Sequence, residues 1–408
     1  MPAREVLAGL DIGTTKIACL VAEIESGQPP KISGIGIHPS EGLRKGVVVN
    51  LEKTTNSVIK AIEDAELMSG TKIDSVFCGI AGDHIKSINS RGVIALSKAE
   101  DEINSFDVEK VIEAAKALAI PQDREIIHVL PQEFCVDDQS GIKDPVGMSG
   151  VRLEAEVHIV TGAVTSAQNI YKSVRRAGLE IKELVLESLA SSYALLYPEE
   201  GELGVVLIDL GGGTTDIAIF YEGSIRHTAV IGLGGKNVTN DIAFGLKTPT
   251  DYAEELKKNY GCAFVRSVDA DEMIEVPGVG GREPRELSRS VLASIIEPRV
   301  EEILEFCLRE VKRGECFEDL TSGVVLTGGG SLMEGVVELA EKVFDMPARV
   351  GRPKGITGLT EQASSPIHST GVGLILYGQK HKKELNQKEG GKFKKIFKYL
   401  KSCFSEYF

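Results

Sequence analysis

Asp11-Ile12-Gly13-Thr14-Thr15-Lys16 follows the apolar run at residues 6–10, and about 200 residues later Asp209-Leu210-Gly211-Gly212-Gly213-Thr214-Thr215-Asp216 follows a second apolar run at residues 203–208. Each turn leads into another apolar stretch, residues 17–24 and 217–221. Strand, tight turn, strand is the simplest reading of both, and together they describe an imperfect internal duplication. A third glycine turn, Thr327-Gly328-Gly329-Gly330-Ser331, also ends an apolar stretch. Glycines let a backbone approach a ligand closely, and successive N–H groups in such turns form anion-binding concavities. The threonine hydroxyls and Lys16 add donors aimed at the same oxygens. Asp11 and Asp209 stand at strand ends just before their turns, where two acids can reach a magnesium ion through water. One such turn alone reads equally well as a plain hairpin; the matched pair plus the late third turn points to a phosphate site.

Apolar residues at helical spacing predict helices over residues 51–68 after the first turn and over 237–244 and 251–259 after the second. Strands alternating with helices imply an α/β fold. Between the halves, residues 83–161 read as an inserted α/β subdomain with a helix over 108–118 and strands near 125–130 and 153–160. A second insertion, 234–313, carries the turn-rich Val276-Pro-Gly-Val-Gly-Gly-Arg282 and a long helix over 287–312. The two lobe cores are then residues 1–82 with 162–197, and 198–233 with 314–379.

At 408 residues the chain exceeds what one hydrophobic core can organise,. Its seven cysteines are scattered and never spaced C-x-x-C, which suggests a reducing compartment and no metal-binding cysteine cluster. The seven histidines show no ligand spacing either. No signal-peptide pattern and no apolar run of about 18 residues is present. The net charge of −14 is unevenly spread: nine lysines against three glutamates make residues 380–408 net +6, leaving −20 on residues 1–379. Such an acidic body would be repelled by nucleic acid and by an anionic membrane alike, so only the tail suits an acidic surface.

Residues 380–391 are polar and end in glycines, and are expected to form a flexible linker. Residues 392–408 read KFKKIFKYLKSCFSEYF. At 100° per residue, Phe393, Ile396, Phe397, Leu400, Cys403, Phe404, Tyr407 and Phe408 share a face about 140° wide, with Lys394, Lys395, Lys398 and Lys401 beside or opposite it. Burying a large apolar side chain is worth roughly 1.5–3 kcal/mol, and each lysine near an anionic surface adds about 1 kcal/mol. Half-burial therefore suffices for reversible attachment to anionic lipids. The competing reading is a terminal helix docked on its own domain.

The three glycine turns resemble the two phosphate loops and the adenosine loop of the superfamily of actin, heat-shock-chaperone ATPases and sugar kinases. That resemblance implies two duplicated lobes closing over ATP and Mg2+. It assigns Asp11 and Asp209 to the hydrated ion; Gly13, Thr14, Thr15, Lys16, Gly211, Gly212, Gly213, Thr214 and Thr215 to the phosphates; and Gly328, Gly329, Gly330, Ser331 and Met333 to the adenosine. Residues 184–196 and 369–378 resemble the two connecting helices of the hinge, with Ala190, Ser191, Gly371 and Gly373 small enough for a close crossing. Glu254 and Lys257, three apart on one helix face, resemble a nucleoside-contacting pair, or form an ordinary surface ion pair. Glu187 falls where relatives orient the attacking water, or is simply an acid favoured at a helix start; at most slow ATP hydrolysis follows.

Within that superfamily, the stretch Ala119-Ile-Pro-Gln-Asp-Arg-Glu-Ile-Ile-His-Val-Leu-Pro131, the loop ending at Arg282 and the basic terminal helix resemble the FtsA family of bacterial cell-division proteins. The resemblance implies a protein that polymerises on the cytoplasmic face of the inner membrane at the division site, anchors the tubulin-like protein FtsZ there and recruits later division proteins. It also implies that the second insertion binds the FtsZ C-terminal tail peptide, with Arg285, Arg289 and Arg299 as contacts for an acidic peptide or as solvated surface residues. A pilus-assembly protein of the same fold and a soluble small-molecule kinase are the alternatives.

Overall fold

The computed structural model describes residues 5–96, 102–117, 120–280, 283–314 and 317–385. The expected basic helix over 392–408, with its lysines and aromatic residues, and the second half of the expected linker lie outside the described residues.

Two sheets repeat one plan. In the first, strands run in the order Glu180–Leu186, Ser75–Ile80, Glu5–Ile12, Lys16–Ile24, Lys31–Pro39, with the short Thr357–Gly358 at the edge. In the second the order is Ala348–Val350, Val324–Thr327, Val205–Leu210, Thr215–Tyr221, Ser224–Ile231. Both centre on a hairpin whose first strand also pairs in parallel with a later strand. The central strands are buried on both faces, which is why they read as continuous apolar runs. Helix Leu51–Ser69 packs on the first sheet; the Asn50 side chain accepts the Lys53 N–H at its start, and Gly70 at φ 66° ends it,.

The inserted subdomain has its own sheet, Lys86–Ala95, Arg152–Ala163, Arg124–Val136 and Gln139–Ile142, covered by helix Ser105–Lys116. Ile103, Val108, Val111, Ile112, Phe134, Leu153 and Val157 form its separate core. It springs from the first lobe yet meets the edge strand of the second. There Ser87 Oγ donates to Thr228 O (2.8 Å), Gln132 Nε2 to Ile225 O (2.9 Å), and His158 bonds Asn89 and Thr228 through its two ring nitrogens.

Four sequence expectations change; one is the long helix of the second insertion, which starts at Arg289 because residues 285–288 form a strand paired with Met273–Val276. The first connecting helix starts at Glu187, because residues 184–186 complete the parallel strand Glu180–Leu186. The strand expected from residue 203 starts at Val205; Leu203 closes a short helix, Pro198–Leu203. The second connecting helix, Ser369–Leu385, continues through the first six residues of the expected linker, since Lys380, Lys382, Lys383 and Glu384 are good helix formers,.

Candidate functional site

The two matched turns face each other across the cleft between the lobes, and the third closes one end. A cavity of about 680 Å3 lies between them, lined by residues of all three turns, by Glu187 and by helices of the second insertion. Its size is that of an ordinary small-molecule site. In the first turn Gly13 N donates to Lys16 O (3.0 Å), folding the loop so that Lys16 Nζ bonds Asp11 Oδ2 at 2.7 Å. Thr14 is held from both sides: its hydroxyl accepts the Gly46 N–H and its carbonyl accepts Lys236 Nζ, each at 3.0 Å. The loops lie in direct contact, since a Cβ on Gly212 would fall 2.2 Å from Thr15 Cγ2 and one on Gly213 would fall 2.5 Å from Thr14 Cγ2.

Four carboxylates converge beneath these turns: Asp11, Glu187, Asp209 and Asp216. Asp209 and Asp216 are direct cross-strand partners in their hairpin, an arrangement that is destabilising for two like charges; the corresponding pair in the first hairpin is Asp11 and Ala18. Burial and the charge of Asp11 raise Asp209 to about 7. Burial, then Asp209, raises Asp216 to about 8, and Asp216 Oδ1 has no hydrogen-bond partner. Burial, then Asp11, Asp216 and Asp209, pushes Glu187 well above the ordinary carboxylate range. Buried acids that repel one another and leave an oxygen unpaired make a site that fits a divalent cation with its waters.

At the other end, Gly328 adopts φ 80°, and a Cβ there would lie 2.2 Å from Asp209 Oδ1, so only glycine lets this loop sit against the carboxylate. Gly329, Gly330, Leu332 and Met333 line the cavity. Ser331 does not: it is buried and donates back to Gly328 O at 2.8 Å, closing its own turn. Gly213 likewise packs against Thr14 and is absent from the cavity lining. Glu254 and Lys257 do reach the cavity, bonded to each other at 2.6 Å, with Lys257 also on Thr239 Oγ1 (2.8 Å) and Gly235 O (3.2 Å). Lys257 is only 12% exposed, so this is no solvated surface pair.

Of the three arginines expected to meet a partner, Arg285 donates to Leu246 O at 2.7 Å and Arg299 is paired with Asp241 and Glu302. Arg289 lines the cavity and is bonded to Tyr260 O, Glu272 and Glu334. Sequence reasoning quoted Asp216 but assigned it no role, and missed Lys236, Arg289 as a cleft residue, and Thr370. Asp216 had a usable signal: it stands opposite Asp209 once the hairpin register is written out.

The family model described as "Cell division protein FtsA" matches residues 206–373, and the one described as "SHS2 domain inserted in FTSA" matches residues 82–161. The cell division protein FtsA of Pseudomonas aeruginosa is 53% identical over 92% of this chain and 89% of its own length. The chain belongs to the FtsA family. The Escherichia coli K12 FtsA, 44% identical over 92% of this chain and 91% of its own, agrees. Solved structures place FtsA's two-lobe plan among actin-like folds. One from a PilM-PilN type IV pilus biogenesis complex has a TM-score of 0.65 at 18% identity, covering 92% of this chain and 99% of its own. MreB5 of Spiroplasma citri bound to ADP has a TM-score of 0.57 at 15% identity, covering 96% and 100%. These last two likenesses carry the fold alone, so the pilus-assembly alternative gives way to a cell-division protein with an actin-like fold.

Proposed function

We propose that this FtsA-family protein binds ATP with Mg2+ between its lobes and serves as a self-assembling scaffold of cell division on the cytoplasmic face of the inner membrane. The observation that carries the reading is the convergence of Asp11, Glu187, Asp209 and Asp216 beneath two glycine turns. Asp11 and Asp209 would hold the hydrated ion, while Lys16, Thr14, Thr15 and the N–H groups of Gly211, Gly212 and Thr214 would meet the phosphates. Gly328 to Gly330, Met333, Glu254 and Lys257 would take the adenosine. Bound nucleotide supplies a polyanion touching both lobes, and so favours their closed arrangement. Glu187, which lines the cavity beside Asp11 and Asp209, would orient the attacking water, with at most slow hydrolysis.

Residues 392–408 would hold the protein on anionic lipid, and assembly into filaments would add the avidity that one short helix lacks. Insertion 234–313 would take the acidic C-terminal tail of FtsZ, and later division proteins would follow. Arg285 and Arg299 could join such a contact by exchanging their present acceptors for the peptide's carboxylates. No helix among the described residues is long and apolar enough to cross a membrane.

The test is co-sedimentation with anionic vesicles in Mg2+ and ATP, comparing the intact chain with one ending at Gly391. Pelleting of the intact chain alone is expected. If both stay in solution, residues 392–408 do not supply the attachment and the membrane part of the reading fails.

A further inference from the structure

Arg289 is the first residue of the long helix Arg289–Val311, in the insertion that the sequence marks for partner binding. Its side chain is only 13% exposed and turns inward to the nucleotide cleft. Nε donates to Tyr260 O at 2.8 Å, Nη1 to Glu272 Oε2 at 2.9 Å, and Nη2 to Glu334 Oε2. Of these acceptors Glu334 lines the cavity, Tyr260 lies between the lining residues Asn259 and Gly261, and Glu272 stands behind the lining. Tyr260 ends helix Thr250–Tyr260, which brings Glu254, Lys257, Lys258 and Asn259 to the cavity. Glu334 follows Leu332 and Met333, which line the facing wall.

The two walls are also joined by backbone. Ala263 N donates to Glu334 O at 2.7 Å, and Cys262 pairs with Glu334 as an isolated parallel bridge. Next to it, Gly335 at φ 75° would bring a Cβ within 2.8 Å of Phe264 Cβ. The backbone link sets the spacing between the walls at one point, and the guanidinium sets their angle by adding separate directions from a rigid planar group. Two carboxylates already face Arg289, so it is not a spare cation for phosphate. The phosphate end is marked by Asp11, Lys16, Asp209 and the two matched turns, and Arg289 bonds none of these.

We propose that Arg289 is a positioning residue for the nucleobase: by tying the end of helix Thr250–Tyr260 to the loop after Met333 it sets base affinity and base selectivity, without serving the phosphates. This rests on the reading of the cleft as a nucleotide site.

The experiment is calorimetric binding of ATP, GTP and inorganic tripolyphosphate, each with Mg2+, to the full chain and to Arg289→Met and Arg289→Lys, with thermal melts as the folding control. Arg289→Met should weaken ATP about tenfold, a loss on the scale of a few displaced hydrogen bonds. It should bring the ATP-to-GTP preference toward unity and leave tripolyphosphate binding as in the wild type. Arg289→Lys keeps the charge and should fall between, and carries the test alone if the methionine variant does not fold. An unchanged ATP-to-GTP ratio in the variants, or an equal loss of tripolyphosphate and ATP, overturns the proposal. A wild-type chain that binds neither ATP nor tripolyphosphate instead overturns the nucleotide reading beneath it.

Discussion

Gly373 on the second connecting helix passes so close to Ala190 on the first that a side-chain carbon there would lie 2.0 Å from the Ala190 carbonyl oxygen. One turn earlier the Thr370 and Ser191 hydroxyls meet at 3.1 Å. Both helices adjoin the cleft, through Glu187 on one and Thr370 on the other, so their spacing sets how the lobes meet.

Gly373→Ala should therefore force the helices apart. Overpacking of this kind costs about 1–3 kcal/mol, and the melting temperature should fall while Mg2+-nucleotide protects the protein less against proteolysis. Gly201→Ala is the matched control: it lies in a helix, and a Cβ there meets nothing within 4 Å. It should leave both readouts unchanged or slightly improved. Equal effects of the two substitutions would remove the hinge crossing from the account.

Asp216 should act against the stability of the nucleotide-free protein. Its folded pKa of about 8 lies above the ordinary 3.8, so the native state holds a proton that the unfolded chain releases. Stability linked to this group is fully present below pH 3.8 and is lost as the pH rises through about 8. Asp216→Asn should melt higher than wild type at pH 8 and like it near pH 4, while binding Mg2+-nucleotide more weakly. Coincident melts at pH 8 would show that the carboxylate is already neutralised in some other way.

The phosphate turns were legible because glycine runs after apolar strands carry one local signal each, and the duplication repeats it. What was not legible depends on partners far away in sequence. Nothing in LVLESLASSYALL separates strand from helix, and only pairing of Glu180–Leu186 with Ser75–Ile80 ends the strand at Leu186. The inward turn of Arg289 follows from Tyr260, Glu272 and Glu334, none of them at a helical spacing from it. Ser331 was legible as part of the third glycine turn, but not that its hydroxyl bonds Gly328 O within that turn.

Acid should open the seam between the inserted subdomain and the second lobe. Burial, then the neighbouring His227, lowers His158 to about 3, and the neutral ring bonds Asn89 and Thr228. With its folded pKa below 6.5, stability from this group is present above pH 6.5 and is lost as the pH falls toward 3. Hydrogen exchange in Lys86–Ala95 and Ser224–Ile231 should accelerate between pH 6.5 and 4, relative to the intrinsic rate, more in the wild type than in His158→Gln. Identical pH profiles for the two proteins would place the acid-sensitive step elsewhere.

The central claim is that the convergent carboxylates and glycine turns form a magnesium-nucleotide site, and equilibrium dialysis of ATP against the full chain tests it most directly. The wild type should bind ATP in Mg2+ and lose at least about tenfold in affinity, roughly 1.4 kcal/mol, when the ion is chelated or when Asp11→Asn or Asp209→Asn is introduced. ATP binding that ignores both the ion and the two carboxylates, or no binding at all, would contradict it.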